Sequence, residues 1–361
     1  AAALALAACA PRGALTFVAE PPGVATVETI LVATTRAPVE GQPVFGSDRA
    51  DLRFAEFRIG VPPERAPGTV TFPATQPADP RTDFVTVSAR RLAGEAAFIR
   101  AIDAILATDP GSNGAATIFT HGYNTNFAEG LYRHAQLVHD YDTRAVNVHF
   151  AWPSAGDARG YVFDRESALF SREGYEATLA AMARSRASRI NVVAHSMGTF
   201  LVMDALATMA RVGYDRVFDK LRAVVLVSPD IEIDVFRNQA RHVLARGVPI
   251  FVIVSTRDRA LLVSARLRGE RERVGSIRSP ADLGDIDVRV IDITDVGAGD
   301  ALGHFALATS PDLINLLGGL RNQGVDVLEA VQQQRGPLGA GVSLIQQGAD
   351  LVFSPLQPPV R

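Results

Sequence analysis

A serine lies in a short turn that joins a predicted strand to a predicted helix. Residues 189–198 have the sequence R-I-N-V-V-A-H-S-M-G, and residues 190–194 form an apolar run typical of a buried strand. A helical pattern begins at Phe200. The segment A-H-S-M-G is a variant of the Gly-x-Ser-x-Gly turn, which needs small residues around the serine because the backbone turns sharply. Such a turn presents the Ser196 hydroxyl above the sheet, and an ordinary strand–turn–helix with a chance serine is the alternative.

A serine hydroxyl becomes a nucleophile only when a histidine accepts its proton and a carboxylate orients that histidine. His304 follows the last predicted strand in a glycine-rich loop downstream of Ser196, which is where a hydrolase base is expected. The other histidines precede the serine, adjoin it or lie inside a predicted element, which favours packing roles; they are His121, His134, His139, His149, His195 and His242.

Two aspartates compete for the role of the orienting acid. Asp258 and Asp230 each follow a predicted strand, so both are expected at the same edge of the sheet as the serine. We favour Asp258, because its strand is one step nearer the His304 loop and the order serine, acid, histidine is that of α/β hydrolases. Asp230 remains the alternative acid, or a cap of the helix that follows it.

The sequence His121-Gly122-Tyr123-Asn124 follows the strand predicted to flank the serine strand. A glycine at this point lets the backbone turn so that an amide faces the oxyanion of a tetrahedral intermediate. We expect the amides of Tyr123 and Met197, the residue after the serine, to form an oxyanion hole. A simple turn at Gly122 is the alternative interpretation.

Strand and helix patterns alternate along most of the chain, which predicts a mostly parallel sheet covered by helices on both faces. An antiparallel preface of short strands precedes it. The predicted strands are residues 27–34, 53–59, 68–72, 84–89, 115–120, 145–152, 190–194, 221–227, 249–255 and 287–293. The predicted helices are residues 94–107, 128–141, 167–184, 235–245 and 311–320, with another that starts at Phe200. The candidate residues all follow strands, where ligands of such sheets bind.

Residues 153–167 form a long polar loop in this prediction, and we expect it to overhang the serine. Three aromatic side chains in or near it, Tyr161, Phe163 and Phe170, are candidates for an apolar wall around an acyl group. Packing of these side chains between the helix and the sheet is an equally good interpretation.

The composition excludes several other kinds of chemistry. The chain has 36 basic and 39 acidic residues, so no broad basic surface for nucleic acid is expected. Lys220 is the only lysine, which excludes a Gly-Lys-Ser/Thr phosphate loop. Cys9 is the only cysteine, which excludes an intrachain disulfide and a thiolate metal cluster. The chemistry inferred above requires no metal ion and no organic cofactor.

The first residues resemble the end of a bacterial signal peptide. Residues 1–8 are apolar, and Leu6-Ala7-Ala8-Cys9 resembles a lipobox, in which the cysteine becomes lipidated after cleavage. An ordinary secretory signal is the alternative. We therefore expect an exported protein, periplasmic or anchored in the membrane through Cys9. The expected organisation is a signal remnant at residues 1–9, a flexible tether at 10–26, a catalytic domain at 27–322 and a loosely ordered tail at 323–361.

Several motifs together resemble one bacterial family. The runs T-H-G-Y-N-T-N-F, F-A-W-P-S-A-G, V-V-A-H-S-M-G and V-S-P-D-I, with the earlier A-T-T-R and F-G-S-D-R-A, are similar to those of the α/β-hydrolase family catalogued as DUF900. Many of its members are predicted to be exported or lipidated. The resemblance covers residues 30–320 and implies an α/β-hydrolase fold, with Ser196 at the nucleophile position of an esterase-like or lipase-like enzyme. Ala194 departs from the pattern by replacing the first glycine of the turn.

These observations favour a serine hydrolase of carboxylic esters that works through an acyl-enzyme in the cell envelope. Its substrate would be a small-molecule, lipid or polyester ester. Two alternatives stay open: an acyltransferase that passes the acyl group to an alcohol, and a catalytically silent envelope lipoprotein that serves as a binding or scaffold module.

Overall fold

The computed structural model describes residues 12–19, 26–255, 258, 272–277, 280–294, 304–311, 314 and 352–354. Its strands are β1 (Thr26–Pro38), β2 (Phe45–Val61), β3 (Val85–Leu92), β4 (Ala115–Thr120), β5 (Val146–Ala151), β6 (Arg189–His195), β7 (Leu221–Val227), β8 (Ile250–Val254), β9 (Arg289–Asp292) and β10 (Val352–Ser354). Its helices are α1 (Gly94–Thr108), α2 (Phe127–Asp140), α3 (Tyr161–Phe170), α4 (Arg172–Arg184), α5 (Met197–Val212), α6 (Asp215–Lys220), α7 (Ile233–Leu244) and α8 (Ala306–Thr309).

The strands form one sheet in the order β10-β9-β8-β7-β6-β4-β5-β1-β2-β3. The seven strands from β9 to β1 in this order are parallel, whereas β2, β3 and β10 pair antiparallel with their neighbours. The predicted fold class, a mostly parallel sheet with an antiparallel N-terminal preface, is confirmed. Because parallel strands end together, the loops that follow β4, β5, β6, β7, β8 and β9 share one side of the sheet, which we call the carboxyl edge.

Helices cover both faces of the sheet, as the apolar runs of the parallel strands require. In β7 the side chains alternate between the two faces: Val224 and Leu226 face a core shared with α1, α4, α5, α6 and α7. Val225 and Val227 face the opposite core, to which α8 contributes Ala306. Helix α2 packs on this second face over β1, β2 and β5. The strands are therefore packed between helices on both faces, and the carboxyl-edge loops extend from these packed strands.

Among the predicted elements, the strand at 68–72 and the helix at 167–184 differ from the structure. Residues 68–72 form no strand: Gly68 lies in a turn with Pro67 and has a φ of +83°, and β2 runs unbroken from Phe45 to Val61. The helix expected at 167–184 is two helices that meet at Ser171. Ser171 Oγ donates to the carbonyl of Ser167 at 2.7 Å and lies 2.7 Å from the hydroxyl of Thr35, contacts that compete with a continuous helix.

The segment that we expected to be a flexible tether lies against the domain where the structure describes it. The amide of Thr86 donates to the carbonyl of Thr16 at 2.7 Å, and the amide of Val18 donates back to Thr86 at 3.1 Å. Residues 16–18 therefore pair with β3, with Phe17 and Thr86 in a parallel bridge. Residues 1–9 lie outside the described residues, as does most of the helix expected at 311–320. Within the tail expected at 323–361, only β10 is described.

None of the helices among the described residues is both long enough and apolar enough to cross a bilayer.

Candidate active site

Ser196 occupies a strained turn between β6 and α5. Its φ of 52° and ψ of −125° are unfavourable for a residue with a β-carbon and cost about 1–3 kcal/mol. The surrounding backbone holds this conformation: the Ser196 amide donates to the carbonyl of Val227 at 3.0 Å, and its carbonyl accepts the amide and the hydroxyl of Thr199. Ser196 is 4% exposed, so it is buried at the carboxyl edge and does not lie on the protein surface.

Two glycines bring the loop after β4 against this turn. A β-carbon on Gly122 would lie 2.8 Å from the β-carbon of Ser196, and one on Gly198 would lie 2.3 Å from the carbonyl oxygen of His121. No larger residue fits at either position without displacing backbone. The loop that carries the Tyr123 amide and the first turn of α5, which starts with the Met197 amide, are therefore in direct contact. The Met197 N–H is at the first helical position and has no acceptor within the helix.

His304 and Asp258 form a hydrogen-bonded pair at the same edge. The Nδ1 atom of His304 lies 2.7 Å from Oδ2 of Asp258, whose side chain is 1% exposed. His195, the residue before the serine, holds the His304 backbone, because its Nε2 donates to the His304 carbonyl at 3.1 Å. The structure thus brings His304 and Asp258 into contact and connects His304 to the residue that precedes Ser196. A histidine whose Nδ1–H is held by a carboxylate can accept a proton at Nε2.

Asp230 is engaged in a second network beside the serine. Its amide donates to the Ser196 carbonyl at 3.3 Å, and its carboxylate accepts the hydroxyl of Tyr161 at 2.6 Å. The Nε atom of Arg273 lies 3.5 Å from its other oxygen. Asp230 therefore connects the start of α3 and residues 272–277 to the turn that carries Ser196.

The three aromatic residues expected to form an acyl wall separate in the structure. Tyr161 packs on Tyr123, with 5.1 Å between the ring centroids, and so lies next to the loop after β4. Phe163 and Phe170 lie on the outer face of α3, where they are 38% and 47% exposed. The physical reason is that α3 begins at Tyr161 rather than at Ser167, which turns positions 163 and 170 to the side opposite the buried core.

A cavity of about 200 Å³ lies beside the serine turn, on the α2 side of the sheet. It is bounded near the serine by Gly122, His195 and Phe305, and the ring of Phe305 stacks on His195 at 3.8 Å. The remaining lining residues are both apolar and polar: Val70, Phe72, Phe119, Gly130, His121, Thr125, Glu129 and Arg133.

A buried charge network that the sequence reasoning missed supports the carboxyl-edge loops. Asp164 of α3 is fully buried and accepts the amides of Asn124 at 3.0 Å and Ala155 at 2.7 Å, and the hydroxyl of Ser154 at 2.6 Å. Burial raises the pKa of this carboxyl group. Arg36 donates to carbonyl groups of the same loops, and burial lowers its pKa to about 9. Arg36 lies inside β1, and no local pattern in the sequence indicated its role.

Four further histidines are buried inside the domain. Burial lowers the pKa of His121 and of His134 to about 3, and it lowers the pKa values of His149 and His195 well below the usual value. These rings are therefore neutral. In the part of the chain that the structure describes, no group of histidine, cysteine, aspartate and glutamate side chains is arranged to hold a metal ion.

Comparison with known proteins identifies the family. The family model described as "Alpha/beta hydrolase of unknown function (DUF900)" matches residues 97–321. Similar solved structures include an esterase from the fungus Rhizomucor miehei, with 14% identity, a TM-score of 0.32 and coverage of 83% of this chain and 84% of that one. An esterase from Pyrobaculum calidifontis has 11% identity, a TM-score of 0.35 and coverage of 86% of both chains. A comparison with curated proteins gives no match. The chain belongs to the DUF900 family of α/β hydrolases, whose function is unknown.

Proposed function

We propose that this protein is a serine hydrolase of carboxylic esters with Ser196 as nucleophile, His304 as general base and Asp258 as the orienting acid. The observation that carries the proposal is the 2.7 Å bond between His304 Nδ1 and Asp258 Oδ2, held next to the strained Ser196 turn by His195. The pair fixes the tautomer of His304 and stabilises the imidazolium that forms when the serine proton is accepted.

The reaction proceeds in two steps. Ser196 Oγ attacks the ester carbonyl while its proton passes to His304 Nε2, and the oxyanion accepts hydrogen bonds from the amides of Tyr123 and Met197. Collapse of this intermediate breaks the ester bond, and His304 returns the proton to the leaving alcohol. Water then attacks the acyl-enzyme by the same route. An alcohol in place of water gives acyl transfer, which is the second candidate reaction of this site.

The cavity beside Gly122 provides space for one part of the substrate. Its volume of about 200 Å³ is below that of drug-sized sites, so it suits a short acyl or alcohol group. Val70, Phe72 and Phe119 supply apolar contacts for such a group. We therefore propose small or short-chain esters as substrates in preference to long-chain lipids at this cavity.

Ester hydrolysis by matched variants tests the proposal. Ser196→Ala and His304→Ala are expected to lower kcat/KM for a short-chain p-nitrophenyl ester by about 10⁴-fold or more, and Asp258→Asn by a comparable factor. Ser112→Ala is the control, because Ser112 is equally buried but precedes β4, at the opposite edge of the sheet. Asp230→Asn should have a smaller effect. Hydrolysis that survives in Ser196→Ala would contradict the assignment.

The cell-envelope location is also a proposal, and it rests on the lipobox-like residues before Cys9. Mass spectrometry of the mature N-terminus tests it directly. A diacylglycerol-modified Cys9 at the first position supports it, and an unmodified Cys9 in the mature chain would contradict it.

A further inference from the structure

Helix α3 has an apolar face that the rest of the domain does not cover. Val162 is 72% exposed and Leu169 is 46% exposed, and together with Phe163 and Phe170 they occupy an arc of about 120° on the helix. The opposite side of α3 is buried. Half of the large exposed apolar side chains among the described residues lie in this one helix of ten residues. We call these four side chains the α3 face.

Arg49 places a positive charge on the α3 face. Arg49 stacks over the rings of Phe163 and Phe170, at 4.8 and 6.0 Å from their centroids. Its Nη2 lies 3.5 Å from Glu166, the acidic residue within the arc, and its Nε donates to Ser167 at 3.0 Å. Glu166 is therefore paired with Arg49. The rest of the α3 face is apolar, and the guanidinium group of Arg49 lies over it. Such a surface is suited to the boundary between lipid chains and phosphate headgroups.

The start of the described chain lies at the same edge of the sheet as α3. Arg12 donates to the side chain of Asn124 at 2.9 Å and to its carbonyl at 2.8 Å, and it pairs with Glu129. The amide of Asn124 in turn donates to Asp164 of α3 at 3.0 Å. Arg12 therefore lies at the carboxyl edge and is connected to α3 through Asn124.

The distance along the chain then limits where a lipid anchor can be. Cys9 lies outside the described residues, but the three residues from it to Arg12 can extend at most about 11 Å. A lipid on Cys9 would therefore keep Arg12, and the part of the carboxyl edge that Arg12 contacts, within about that distance of the bilayer surface. The α3 face needs little affinity of its own under these conditions, because the anchor raises its effective concentration at the membrane.

We propose that the α3 face docks on the lipid bilayer, so that the carboxyl edge of the sheet faces the membrane. This proposal rests on the exposed face and on the proposed lipidation of Cys9, and it does not depend on catalysis. One consequence rests on the proposed function. Docking would bring the Ser196 turn near the bilayer, because Tyr161, the first residue of α3, contacts Asp230, whose amide binds the Ser196 carbonyl.

Quenching of tryptophan fluorescence by brominated lipids tests the docking. The full-length chain, produced with its natural processing, is reconstituted in vesicles of three parts phosphatidylcholine and one part phosphatidylglycerol, with or without bromine on the acyl chains. Trp152 is the only tryptophan and is fully buried, so it provides a constant background. Val162→Trp is expected to lose emission in brominated vesicles and to shift to the blue. The control is Val212→Trp, because Val212 is 65% exposed at the far end of α5, at the opposite edge, and no quenching is expected there.

Several outcomes would overturn the proposal. Equal emission of Val162→Trp in both kinds of vesicle would mean that the anchor tethers the domain without docking. A mature chain without lipid on Cys9 would remove the argument from chain length. Vesicle-free self-association that is abolished by Phe163→Asp would identify the α3 face as an interface between two copies. If Val162→Trp fails to fold, Leu169→Trp replaces it. Loss of ester hydrolysis in Ser196→Ala leaves all these readouts unchanged, so the two proposals fail separately.

Discussion

Replacement of Gly122 by alanine tests the packing on which the serine turn depends. The new β-carbon would lie 2.8 Å from the β-carbon of Ser196 and 2.8 Å from Nδ1 of His195. Carbon atoms in contact normally stand about 3.5–4.0 Å apart, so the loop after β4 or the serine turn must move by about 0.7–1.2 Å. The β6–α5 turn is held by backbone bonds on both sides, and we expect the loop and the serine to share the displacement.

The expected consequence is a large loss of activity with a moderate loss of stability. A displacement of about 1 Å between reacting groups can cost about 10²-fold in rate, which corresponds to about 2.7 kcal/mol. Overpacking of this kind lowers the free energy of unfolding by about 1–3 kcal/mol. The assay is kcat/KM for a short-chain ester, measured beside the urea unfolding curve of the same preparation.

Gly46→Ala is the matched control for this prediction. Gly46 has ordinary backbone angles, and its added β-carbon would meet the nearest atom at 3.7 Å, an ordinary contact. This variant should keep the activity of the unmodified protein. A folded Gly122→Ala protein with unchanged kcat/KM would refute the reasoning, because the close approach of the loop to Ser196 would then have no bearing on catalysis.

Three further predictions concern buried ionisable side chains. Because burial lowers the pKa of His134 from 6.5 to about 3, unfolding takes up a proton as the pH falls below about 6.5, and stability is lost from there towards pH 3. Between pH 7 and pH 5 this loss is about 2 kcal/mol, and urea unfolding of His134→Leu at both pH values should lack it. Asp164→Asn replaces an acceptor of three hydrogen bonds by a group that also donates, and denaturation should show a loss of about 1–3 kcal/mol. Arg65→Ala leaves the buried Asp140 without its cation, and its unfolding free energy should fall by about 3–5 kcal/mol, whereas an unchanged value would show that the pair is solvated.

The fold could be predicted from the sequence wherever a strand was buried on both faces. The apolar runs of β7 and β8 indicate strands whose side chains are covered on each side. The boundaries of α3 could not be found in this way. Its break from α4 depends on the contacts of Ser171 with Ser167 and Thr35, and the latter is far away in the sequence.

The candidate site, like the fold, could be predicted only in part from the sequence. Ser196 was indicated by local turn chemistry, and His304 and Asp258 were indicated by their positions after strands, which the parallel sheet brings to one edge. The network of Asp164 and Arg36 could not be predicted, because its partners are backbone groups of loops whose conformation no local pattern specifies. The exposure of Phe163 and Phe170 likewise depends on where α3 begins.

The central claim is that Ser196 is an activated nucleophile, and covalent labelling tests it most directly. The full-length protein is treated with a fluorophosphonate, digested with trypsin and analysed by mass spectrometry. The phosphonyl adduct is expected on the peptide spanning residues 190–211, in which Ser196 is the only serine. Labelling should be absent in Ser196→Ala and strongly slowed in His304→Ala. A folded protein that does not label, or that labels on another peptide, would contradict the account.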